Sequence, residues 1–169
     1  MKKMHRIVDF AILAPVPLEH LKSGKAIAKS EGFVAFGSRK WDLFRKVDEL
    51  RHGERVPVLL YPSHDYESPA RLDFMIAWFG WYVGHVEAVG GAHPEGMRHR
   101  PPTTLQYPDD NRGHWVVFWH VEGLLKLRKS DQFPISTVGT YKGGTWHKDA
   151  VPRGPELVAV PNWLELQNL

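Results

Sequence analysis

Hydrophobic and polar positions recur along this chain with two periods, and the period of two dominates. The one strong helical pattern starts at Ser38. In SRKWDLFRKVDELRHGER, Trp41, Phe44, Val47 and Leu50 return every three residues with charges between them. This predicts an amphipathic helix with Ser38 as N-cap and Gly53 just past its end. PLEHLKSGKAIAKS predicts a shorter helical stretch broken at Gly24. Ile7–Ala14, Gly32–Gly37, Arg55–Tyr61 and Leu157–Val160 read as strands, and Pro57 places the third at a strand start, an edge or a bulge.

Two further strands carry a rhyme. In IAWFGWYVGHVEAVGG, Tyr82, Gly84, Val86 and Ala88 alternate with Trp81, Val83, His85 and Glu87. In HWVVFWHVE, Trp115, Val117, Trp119 and Val121 share one face, and Val116, Phe118, His120 and Glu122 the other. SHDYESPARLD reads as a loop. Residues 91–113, rich in Pro, Gly and charge, are too long for a hairpin turn and are expected to be functional or flexible.

Five or six short strands with two helices, and no regular βαβ alternation, predict an α+β fold: a small mixed or antiparallel β-barrel with flanking helices. At 169 residues, 43% apolar and 24% charged, the chain suffices for one globular domain, 1–169. No repeat of 20 to 50 residues interrupts that reading.

Composition narrows the chemistry. The absence of cysteine removes disulfides, thiolate metal sites and a cysteine nucleophile. Asp9, Pro15 and Pro17 break the N-terminal apolar run before it reaches signal or membrane length, so a cytoplasmic protein without a membrane partner is expected. A net charge of +3 permits a polyanionic partner, and seven Trp, eight Phe and five Tyr supply flat surface that either fills a core or stacks on a ligand.

The two His-x-Glu pairs could gather His85, Glu87, His120 and Glu122 on adjacent strands as a zinc site or an acid/base couple. Their apolar settings favour polar pairs on strand surfaces, with one buried histidine satisfied by a neighbour. No nucleophile elbow, P-loop or dinucleotide fingerprint is present, so no cofactor is expected. Ser63, His64 and Asp65 are consecutive, and successive side chains diverge too much to make a triad.

The succession of an aromatic-bearing helix, GERVPVLLYPSH, WYVGHVEAVGG, HWVVFWHVEGLLKL and PRGPELVAVP resembles the PUA-like superfamily, in particular its EVE and ASCH branches, over roughly residues 33–160. Gly53, Glu54, Tyr61 and Ser63 stand where those families carry a Gly-acidic pair and then an apolar strand ending in an aromatic and a serine. The ASCH signature G-x-K-x-x-E-x-R is met loosely by Gly37, Arg39 and Asp42, with Arg45 one place late.

That resemblance implies a nucleic-acid partner, RNA or modified DNA, with an unpaired or modified base held among aromatic side chains. Trp41 and Ser63 would sit at the pocket, with Trp78, Trp81 and Trp119 as further candidates. Arg39, Lys40, Arg45, Arg98 and Arg100 would contact phosphate. A base sandwiched against indoles gains about 1 to 3 kcal/mol per stacked face. The alternative is a small ASCH-like enzyme, a ribonuclease or modified-nucleoside amidohydrolase, with Lys25 or Lys40 beside Asp42 or Glu87 in one cleft.

Overall fold

The computed structural model describes residues 8–63, 75–141 and 152–161. Most of the predicted SHDYESPARLD loop therefore lies outside the described residues, as do His64 and Asp65. In chain order the elements are β1 (Phe10–Pro17), α1 (Leu18–Glu31), β2 (Val34–Ser38), α2 (Trp41–Arg51), β3 (Val56–Ser63), β4 (Met75–Ile76), β5 (Trp78–Glu87), β6 (Val117–Lys126), β7 (Phe133–Pro134) and β8 (Glu156–Ala159). The class is α+β. Six strands form one curled mixed sheet in the order β2-β6-β5-β3-β1-β8, and β4 pairs with β7 separately. Among the described strands, only β1 and β3 run parallel.

The expected barrel does not close; the sheet is a half-barrel with β2 and β8 at its two ends. Each outer edge is covered by loop backbone and side chains. On β2, the Ala35 amide donates to the His99 carbonyl at 2.7 Å and the Ala35 carbonyl accepts from Arg100 at 2.8 Å. On β8, the Ala159 amide donates to the Gly139 carbonyl at 3.1 Å. Covered edges of this kind remove the need for mutual pairing. The 91–113 segment thus works as an edge cover.

Alternation along the strands builds two cores. Ile12, Ala14, Val58, Leu60, Val117, Trp119 and Val121 face α1 and α2, where Leu21, Phe44 and Val47 meet them. Ala11, Leu13, Leu59, Tyr61 and Phe79 face the other way, onto Ile76, Ile135 and Val138. β8 pairs only with Phe10–Leu13, so beyond Leu13 the strand β1 has an open side where Pro15 and Pro17 are tolerated.

Two helix expectations need correction. α1 runs straight through Gly24, where a Cβ would stand 3.2 Å from a Val34 methyl. The glycine serves close packing of helix on strand. Ser38 ends β2 instead of capping α2; its Oγ accepts from the Lys40 amide at 3.0 Å, and α2 starts at Trp41. The C-terminal expectation holds, with His52 and Gly53 left-handed just past α2. Among the described residues, no helix is long and apolar enough to cross a membrane.

Candidate nucleic-acid interface

The turn at Ser38 fixes where α2 starts and therefore what its outer side presents. Trp41 is half-buried against the helix-side core, which holds its indole in place. One turn on, the Arg45 guanidinium lies over that ring, 4.6 Å from its centroid. The next residue, Lys46, sets its Nζ 5.6 Å from the Tyr141 ring, which is 39% exposed and rests edge-on against Phe10. Arg39, just before the helix, is exposed. Lys40 points elsewhere: its Nζ forms an ion pair with Glu156 and donates to the Pro155 carbonyl at 2.8 Å.

The other expected pocket residues do not gather here. Trp119 is 1% exposed among Phe36 and Phe44, and Trp78 is 3% exposed in the same core. Among the described residues, neither indole N–H finds a hydrogen-bond partner. Trp81 packs on the opposite face of the sheet from Trp41, edge-on to Phe79 and with the Arg55 guanidinium 3.7 Å from its ring centroid. Ser63 ends β3 opposite Pro17 of β1. Trp41 is thus the expected indole that sits beside an exposed arginine of α2, Arg45.

The basic loop divides as well. Arg98 is exposed and pairs with Glu31 at 2.9 Å. Arg100 is 2% exposed, and its guanidinium donates to Ala35 O, Asn111 Oδ1, Asp110 O and Asp110 Oδ1 at 2.8 to 3.1 Å. It also lies over Phe118, 4.9 Å from the ring centroid. Burial pulls its pKa down to about 10, with Asp110 opposing that shift. Arg100 is a structural cation.

The two His-x-Glu pairs are split by irregularities in β5 between Phe79 and Trp81 and between Tyr82 and Gly84. The second shifts the alternation, so His85 stands opposite Trp119 and faces α2, whereas His120 stands opposite Gly84 on the other face. His85 Nδ1 donates to Asp48 at 2.8 Å, beside the Tyr82 hydroxyl, which donates to the same carboxylate at 3.0 Å. His120 Nε2 lies 3.0 Å from His93 Nε2. The Glu95 amide donates to His93 Nδ1, so neutral His93 carries its proton on Nε2 and donates it to His120.

Phe33 stacks between His99 and His120 with centroids 3.9 and 4.2 Å away. Burial, then His93, His99 and His85, holds His120 down to about 4. Glu87 and Glu122 are exposed. Among the described residues, no group of three His, Asp or Glu side chains is arranged to hold a metal ion.

Sequence reasoning missed Lys46, Tyr141 and Arg55. Lys46 was legible as the neighbour of Arg45 on the charged side of α2, but Tyr141 lies in an unpatterned loop and only the fold brings it to that helix. For an ASCH-type cleft, Lys40 would have to meet Asp42 or Glu87, and its carboxylate partner is Glu156. No protein-family model matches the chain, and no curated protein matches its sequence.

Proposed function

We propose that the protein binds single-stranded or unpaired nucleic acid through the outer side of α2, with Trp41 as the stacking platform. One observation carries the reading: two aromatic rings at one helix, Trp41 and Tyr141, each lie beneath a cation, Arg45 and Lys46. A half-buried indole is already oriented, so a base stacking on it orders little else. Such stacking contributes about 1 to 3 kcal/mol per base, and a guanidinium beside the ring adds cation–π attraction and a fork for phosphate. The resemblance to EVE-like, PUA-like domains supports the same partner class and adds the modified base as the ligand of interest.

Anisotropy of fluorescein-labelled single-stranded RNA and DNA tests the reading, each oligonucleotide with and without modified bases. Trp41→Ala is expected to weaken binding about tenfold or more, Trp41→Phe to keep most of it, and Arg45→Ala to flatten the salt dependence. Equal affinity of wild type and Trp41→Ala for every oligonucleotide overturns the assignment.

A further inference from the structure

A second group of side chains, sharing no residue with the α2 row, joins α1 to the turn that follows Pro101. His20, on the first turn of α1, is 6% exposed. Its Nδ1 lies 2.7 Å from Thr103 Oγ1, and its Nε2 lies 3.6 Å from Asp110 Oδ2. Ser23, one turn along α1, places its Oγ 2.8 Å from the same threonine oxygen. Ser23 and Thr103 are both half-buried, so this end of the chain of groups reaches solvent. The inner end is closed: Asp110 Oδ1 accepts from Arg100 at 3.1 Å and from the Trp115 indole at 2.5 Å.

Those contacts decide the proton positions. Arg100 and Trp115 occupy Asp110 Oδ1 and leave Oδ2 facing the imidazole. Asp110 Oδ2, at 3.6 Å too far from Nε2 for a hydrogen bond, favours through its charge the tautomer with the proton on Nε2, in which Nδ1 of neutral His20 accepts from the Thr103 hydroxyl. Burial lowers the His20 pKa, and Arg100 adds to that effect, against the opposing pull of Asp110 and Glu19. His20 is therefore a neutral base at pH 7. The Tyr107 ring covers it edge-on at 5.5 Å. The Glu19 carbonyl, 3.3 Å from Thr103 Oγ1, is a longer and competing acceptor.

We infer that Thr103, His20 and Asp110 form a nucleophile, base and orienting carboxylate for acyl transfer, with small carboxylic esters as the substrate class. A hydroxyl bonded to an imidazole that a buried carboxylate orients is the arrangement this chemistry requires. Thr103 Oγ adds to the ester carbonyl carbon while its proton passes to His20 Nδ1. The imidazolium so formed keeps its other N–H toward Asp110. The Ser23 hydroxyl stands beside the nucleophile, where it can donate to the developing oxyanion. Collapse breaks the bond to the alcohol oxygen, which takes the proton from His20 and leaves an acyl-threonine. Water then adds to that ester, gives its proton to His20, and releases the acid as the proton returns to Thr103. The net change is ester plus water to acid plus alcohol.

The full chain with 4-nitrophenyl acetate tests this. The expected result is an acetyl group mapped by mass spectrometry to Thr103 and nitrophenol release at least about 100-fold faster than in Thr103→Val, a nearly isosteric change. The rate should rise with pH through a midpoint below 6.5, where His20 loses its proton. Acetylation only at other residues, or nitrophenol release by wild type no faster than by a folded Thr103→Val, overturns the inference. Should Thr103→Val fail to fold, the mapped position of the acetyl group on wild type decides alone. Either failure leaves the α2 reading intact.

Discussion

Arg98 and Arg100 stand two apart in one basic loop, yet the fold gives them opposite roles. Arg100 supplies four hydrogen bonds while 2% exposed, and its removal takes the guanidinium from the Asp110 carboxylate and the side-chain donor from the Ala35 carbonyl. Arg100→Met is therefore expected to lower the unfolding free energy by about 3 to 5 kcal/mol. Arg100→Lys should recover little of it, because one ammonium cannot replace a planar fork. Arg98→Ala should leave the urea midpoint where it is, since its pair with Glu31 is exposed. Urea unfolding of the three variants reads this directly, and a stable Arg100→Met would overturn the structural role. Charge in this loop was legible in the sequence; which arginine would be buried was not. That depends on the outward-facing Ala35 carbonyl, which only strand pairing creates.

At the scale of elements, the unbroken patterns were the legible ones. α2, β3 and the buried row Val117, Trp119, Val121 follow the periods of their residues. β5 does not, because the irregular pairing at Gly80 and at Val83 depends on its neighbours. The four-residue His/Glu patch that the spacing allowed does not form for that reason, and His120 instead joins a histidine-lined contact between the 91–113 cover and the β2–β6 edge. The titratable groups acting on His120 are His93 and His99, with His85 across the sheet, while Glu95 and Arg100 act on His93. The unfolded chain takes up a proton at His120 near pH 6.5, whereas the folded chain resists it until about 4. Stability is full above 6.5 and declines as pH falls through that window, by on the order of 3 kcal/mol at most. His93 and His20 shift in the same direction, burial being the main cause in each. Denaturation midpoints between pH 7 and 4 should fall more gently for His120→Gln than for wild type. Equal slopes would remove His120 from the account.

For the whole molecule, the α+β class followed from strand count and helix pattern, while the choice of a mixed over an antiparallel sheet and its openness did not. Closure is decided by whether β2 and β8 find each other or find loops first, and the loops win through Ala35 and Ala159. Lys40, just after β2, still spans the gap, reaching Glu156 and Pro155 at the start of β8. If that ion pair held the half-barrel in shape, its loss would be felt throughout the fold. Its side chains are 39% and 43% exposed, however, and pairs so open to water contribute about 0 to 1 kcal/mol. The two cores on either face of the sheet carry far more. Lys40→Ala is thus expected to change the unfolding free energy by less than about 1 kcal/mol, against roughly 3 to 5 kcal/mol for Trp119→Ala. Guanidinium unfolding of both variants compares them. A Lys40→Ala loss as large as that of Trp119→Ala would mean that the seam, and not the cores, sets the curvature of the sheet.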